Sequence, residues 1–105
     1  MAFSKANEFN SKSNEIAQFA KAISHPARIQ ILEYLALKNT CMCGDIVKEL
    51  PLSQSTVSQH LKALKEAGLI QGKVEAPSIC YCIDRKKLEI VNKGLQKLFS
   101  KICNY

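Results

Sequence analysis

Leu52-Ser53-Gln54-Ser55-Thr56-Val57-Ser58-Gln59-His60-Leu61-Lys62-Ala63-Leu64-Lys65-Glu66-Ala67-Gly68-Leu69 carries two patterns on one helical period. Val57, Leu61 and Leu64 fall at i, i+4 and i+7 and give a narrow apolar stripe. Ser55, Ser58, Gln59, Lys62 and Glu66 take the opposite side, with Gln54, Thr56 and His60 on its flanks. Ser53 stands at the N-cap position, and Gly68 stands where the helix should stop. An ordinary solvated helix would more often alternate Glu and Lys. Short hydroxyls, amides and a lysine are instead the groups that reach base edges and phosphates from a helix lying in a DNA groove.

Upstream, Ile46, Val47 and Leu50 suggest a short helix from Cys43 to Leu50, closed by Pro51. Residues 43–67 then read as short helix, tight turn and longer helix, the helix-turn-helix pattern. Downstream the period changes. Leu69–Val74 and Ile79–Asp84 are rich in β-branched and aromatic residues, with Glu75-Ala76-Pro77-Ser78 between them as a turn. This is a two-stranded wing.

Two helices precede the motif. Phe9, Ile16, Phe19, Ala20 and Ile23 mark the first, whose start is blurred by the poor helix formers Asn10 to Asn14. Ser24-His25-Pro26 interrupts the chain, and Pro26 suits the first turn of a second helix over about Ala27–Leu37. A last helix spans Arg85 to Ile102, with Leu88, Val91, Leu95, Leu98 and Ile102 in a seam that Phe99 widens. The expected fold is mainly α with a small β-hairpin, in the order α-α-α-α-β-β-α. It forms a single winged helix-turn-helix domain over residues 1–105, with residues 1–8 frayed. Helices at both ends of so small a domain predict a homodimer joined through them.

Fifteen Lys and Arg against nine Asp and Glu give a formal charge of +6, which favours a polyanionic partner without demanding one. No apolar run approaches the roughly 20 residues that span a bilayer, and the polar start lacks the apolar segment of a secretory signal. The expectation is a cytoplasmic protein with no membrane partner. Five cysteines, an odd number, do not read as a disulfide framework in a reducing compartment.

Cys41 and Cys43 are the best sensing candidates. Separated by one residue, ahead of or within the first helical turn, both thiolates can serve one soft ion, and a helix N-terminus favours their ionised form. Soft thiolates select arsenite-like metalloids, Cd, Pb, Zn or Cu(I) over hard cations. The competing reading is two small buried residues. Cys80 and Cys82 alternate along a strand and project to one face, either packing within the wing or adding ligands. A four-thiol zinc site from both pairs is open chemically, although the pairs are distant in sequence and lack the usual structural zinc spacing. Cys103, near the chain end, is a further ligand candidate or an inert surface thiol. A redox alternative has Cys41 oxidised or persulfidated and resolved by another thiol.

Three segments resemble the ArsR/SmtB family of metal-sensing repressors. Ser24-His25-Pro26-Ala27-Arg28-Ile29-Gln30-Ile31-Leu32 resembles the opening of its second helix, and Leu52 to Leu64 is similar to its recognition segment. Cys41-Met42-Cys43-Gly44-Asp45-Ile46 looks like its Cys-x-Cys-x-Asp metal-binding lead-in to the third helix. The similarity covers about residues 12–100. It implies a dimeric winged-helix repressor that holds a palindromic operator in double-stranded DNA and releases it when an inducer binds. No cofactor is required for DNA binding; a soft metal or metalloid ion is the implied inducer.

The sequence also departs from the family. Ile46 stands where arsenic sites of this type often carry a third thiol, and residues 1–40 contain no cysteine for an N-terminal arm site. Residues 85–105 contain no histidine, which excludes a zinc site on the terminal helix.

Within that reading, Gln54, Ser55, Thr56, Ser58, Gln59 and His60 are the candidates for DNA contact on the recognition helix. His60 has the alternative of a partly buried spacer, and His25 reads as structural. Lys62, Lys65 and wing Lys73 are placed on phosphates. A thiol-redox repressor of the same fold is the nearer rival, and a winged-helix protein-interaction module without DNA binding the more distant. An enzyme is not expected, because no nucleophile–base–acid set or glycine-rich phosphate loop appears.

Overall fold

The computed structural model describes residues 9–38, 41–43, 50–75 and 77–103, with Cys43 described by its backbone. Helix α1 (Ser11–Ala22) begins one residue after Asn10, whose Oδ1 accepts the Ser13 N–H at 2.8 Å. That cap places the start two residues beyond Phe9, and Phe9 is exposed. Helix α2 (Pro26–Lys38) opens on its proline, and the Ala27 N–H donates to His25 Nδ1 at 3.1 Å. His25 thus caps α2, the structural role read for it.

Strand β1 (Met42–Cys43) follows, then helix α3 (Gln54–Glu66), strands β2 (Ile70–Glu75) and β3 (Ser78–Ile83), and helix α4 (Arg85–Cys103). Ser53 Oγ accepts the Thr56 N–H at 3.3 Å and caps α3. At the other end Gly68 adopts a φ of 81°, which an L side chain rarely tolerates. There the Gly68 N–H donates to Lys65 O and the Leu69 N–H to Leu64 O, the paired bonds of a Schellman stop. The expected short helix over Cys43–Leu50 falls mainly on residues 44–49, outside the described residues.

The sheet runs β1-β3-β2 and is antiparallel throughout. The hairpin was expected from the β-branched runs; the third strand was not. Met42 lies opposite Tyr81 and Cys43 opposite Cys80, so Cys43 closes a strand instead of opening a helical turn. Asp84 joins wing to terminal helix, its Oδ1 accepting the Lys87 N–H at 3.1 Å and its Oδ2 the Gln71 side-chain N–H at 3.1 Å. The Lys87 N–H bond is the main reason its carboxyl sits below the usual range, with the Gln71 bond adding to it.

The core is built from Ile31 and Leu35 of α2, Val57, Leu61 and Leu64 of α3, and Leu69, Ile70 and Val91 beyond it. Among these, Ile31, Val57, Leu64 and Leu69 have no exposed surface. Helix α1 packs against α4, with Gly94 close to the Ile16 side chain.

Candidate nucleic-acid interface and thiol site

Burying Val57, Leu61 and Leu64 fixes the rotation of α3 and decides which residues meet solvent. Gln54, Ser55, Ser58, Gln59 and Lys62 are all exposed. They share the side of the helix opposite the core, as a recognition surface requires. Lys65 is exposed and its ammonium lies beside Gly72 of β2, while Lys73 is exposed on the same strand. Helix and wing therefore present cations on adjoining elements.

Two expected contacts are tied up elsewhere. Thr56 is half-buried, and its hydroxyl lies 2.9 Å from Ser53 Oγ within the cap. His60 is only 7% exposed, so it is not on the solvent-facing ridge expected for DNA contact and instead takes the place of a buried spacer. Its Nδ1 accepts the Arg28 Nε–H at 3.0 Å, and its ring centroid lies 4.5 Å from that of His25. The edge of the apolar stripe is where helical rotation turns a residue inward. Arg28 also donates from Nη1 to Ala22 O at 3.2 Å, so one guanidinium joins the end of α1, α2 and α3. Sequence reading missed Arg28: it lies 32 positions from His60, and no local period announces such a partner.

This clasp has a pH dependence. Burial, then the charges of His25 and Arg28, holds the His60 pKa below 6.5. A second ring proton would sit on Nδ1, facing the Arg28 donor. In the unfolded chain His60 titrates near its ordinary value, so as pH falls through about 6.5 the unfolded state takes up a proton that the folded state refuses. Thermal stability is expected to fall between pH 7.5 and about 5.5, and His60→Gln, which accepts without titrating, should flatten that slope. Equal slopes for both proteins in a melting series would assign the pH dependence to other groups.

The thiols are gathered as the sequence did not foretell. Cys41 is bonded to Cys82, with a Cα–Cα distance of 4.2 Å and 41 positions between them in the chain. Cys80, in the same strand, is 1% exposed, is itself disulfide-bonded and has its sulfur 3.6 Å from Glu75 Oε2. Cys103 is a free, exposed thiol in the last turn of α4. Cys80 and Cys82 thus belong with the Cys41–Cys43 segment, which the ladder lays alongside them. Cys43 has its backbone in β1, ahead of residues 44–49, where the helix expected to favour its thiolate lies outside the described residues. Among the described residues no group of three or more metal-ligating side chains is free to hold an ion.

Residues 25–71 match the family described as "Bacterial regulatory protein, arsR family". The chain is similar to the HTH-type transcriptional regulator YgaV of Escherichia coli, 32% identical over 91% of this chain and 94% of that one. It also resembles the arsenical resistance operon repressor of Staphylococcus xylosus, at 28% identity over 77% of each chain. Among solved structures, HlyU from Vibrio cholerae superimposes with a TM-score of 0.67 at 28% identity, covering 90% of this chain and 97% of that one. With the exposed polar ridge of α3, the wing and the element order above, these likenesses establish that the chain belongs to the ArsR family of DNA-binding transcriptional regulators.

Proposed function

We propose that the protein is a homodimeric repressor that lays α3 of each protomer into successive major grooves of a palindromic operator and lets go when its thiols are engaged. The observation that carries this is the two-sided build of α3, with Gln54, Ser55, Ser58, Gln59 and Lys62 exposed against the buried stripe of Val57, Leu61 and Leu64. Half-sites in such docking lie about 34–36 Å apart. Gln54, Ser55, Ser58 and Gln59 read base edges; Lys62, Lys65 and Lys73 hold phosphates.

A glutamine amide that donates and accepts across one base edge discriminates by about 1–3 kcal/mol per base pair. Gln59→Ala is therefore expected to weaken specific binding while leaving affinity for random DNA nearly unchanged. Fluorescence anisotropy with labelled DNA from the protein's own promoter, beside a scrambled duplex, measures both. Equal losses on the two duplexes would take Gln59 out of base readout.

The inducer favoured by the donor set is a soft metal or metalloid ion, since Cys41, Cys43, Cys80 and Cys82 offer only sulfur. The relative from Staphylococcus xylosus is named for arsenical resistance. Cys41 and Cys82 are bonded to each other, so only the reduced protein offers those two thiolates to an ion. That bond also favours a second reading, in which the signal is oxidation of the thiols. Adding arsenite, zinc or a mild oxidant in turn to the protein–operator complex distinguishes the two.

A further inference from the structure

We infer that the β1–β3 ladder is a redox-active modification site, in which Cys41 and Cys82 form a reversible cross-strand disulfide that couples the lead-in of the helix-turn-helix to the wing. This deepens the reading of a thiol-responsive repressor and rests on it.

The ladder register carries the argument. With Met42 opposite Tyr81 and Cys43 opposite Cys80, the next rung sets Cys41 opposite Cys82. Their Cα separation of 4.2 Å is near the roughly 4.5 Å of directly opposed residues in the closer type of antiparallel pair. Pairing of the two thiols therefore follows from strand register and needs no rearrangement of the backbone. Both are half-buried, which leaves a small reagent access, whereas Cys80 on the neighbouring strand position but one is sealed from solvent.

The co-reactant is a small-molecule disulfide. One protein thiolate attacks a sulfur of that disulfide, forming a mixed disulfide and expelling one small thiolate. The other protein thiol loses its proton and attacks the protein-side sulfur, closing the Cys41–Cys82 bond and expelling the second small thiolate. Two electrons pass from the protein to the small disulfide, which leaves as two thiols, and excess small thiol reverses the exchange.

The coupling follows from where the bond lies. Strand β1 is only two residues long, so few backbone bonds hold it to β3. Cys41 precedes the helix-turn-helix, and β3 runs through Asp84 into α4. Oxidation ties the first segment to the second; reduction leaves the recognition helix freer to adjust against the wing on DNA. Linkage then makes operator affinity depend on the thiol state.

The test uses the full chain, reduced and then exposed to 2-hydroxyethyl disulfide. Tryptic peptides 39–48 and 74–85 contain the four ladder cysteines and exclude Cys103. They are expected to be recovered as one linked species without reductant, also from the Cys43→Ser/Cys80→Ser variant, where Cys41 and Cys82 alone remain to join them. Operator affinity should fall about tenfold on oxidation, a size usual for allosteric coupling, and Cys82→Ser should show no such response. Unlinked peptides from the wild type, or an oxidised protein that binds operator as tightly as the reduced one, would overturn the proposal. So would a reduced protein that takes up zinc through all four thiols and never forms the linked species. Failure of the reduced protein to bind promoter DNA would instead sink the repressor reading, whatever the peptides show.

Discussion

Replacing both Phe99 and Ile102 by glutamate is expected to give a folded monomer whose operator affinity is lower by about 10²-fold or more, the scale on which linked binding exceeds single-site binding. The seam of α4 has two halves with different neighbours. Val91 is buried, and Leu88 and Leu95 pack against the domain's own core. Phe99 and Ile102 continue the same stripe at i+11 and i+14 from Leu88, yet they are 55% and 46% exposed. An amphipathic helix that runs past the edge of its own core leaves apolar surface that a second copy can cover. Dimerisation then sets the spacing between two recognition helices, and a monomer can occupy only one half-site. Sedimentation velocity and operator anisotropy on the same preparations test this, with circular dichroism to confirm that α4 persists. A wild-type protein that saturates operator while sedimenting as a monomer, or a double variant that still dimerises, would remove this seam from the interface.

Long elements with a local period were legible in the sequence because the hydrophobic pattern that announces them also buries them. The stripe Val57, Leu61 and Leu64 is fully or nearly fully buried, and the β-branched runs became β2 and β3 within a residue of their expected limits. Strand β1 was not legible. Two residues hold no period, and Met42–Cys43 is a strand only because β3, far along the chain, supplies the partner. The same long-range pairing hid the thiol arrangement. Two Cys-x-Cys segments look independent until an antiparallel register sets them rung against rung. His60 was ambiguous for a different reason: a residue at the margin of a stripe turns inward or outward according to its partner, and Arg28 comes from another helix. Local chemistry thus indicated the exposed polar ridge of α3, while its inner boundary and the pairing of the thiols depended on tertiary contacts.

The two faces of α3 should be separable by mutation. Leu64 has no exposed surface and packs in the core with Ile31, Leu35 and Val57. Leu64→Ala is expected to cost about 2–5 kcal/mol, the usual range for truncating a buried leucine. Against a typical total of roughly 5–15 kcal/mol for a domain, that loss lowers the urea midpoint substantially. Lys62, on the exposed side of the same helix, behaves in the opposite way. Lys62→Ala should change stability by no more than about 0.5 kcal/mol, as surface substitutions usually do. If Lys62 holds a phosphate, its removal lowers the magnitude of the salt dependence of DNA binding by about 0.9 for each phosphate that the lysine neutralises in each protomer. The loss of affinity should be similar for specific and random duplexes, unlike that of Gln59→Ala. Urea titrations and anisotropy at several salt concentrations, run on both variants, measure the separation directly. If Lys62→Ala unfolds the protein, or Leu64→Ala leaves the midpoint in place, α3 does not sit with the rotation described above. The assignment of its exposed side to DNA then loses its basis, because which residues reach a groove is decided by which residues the core holds.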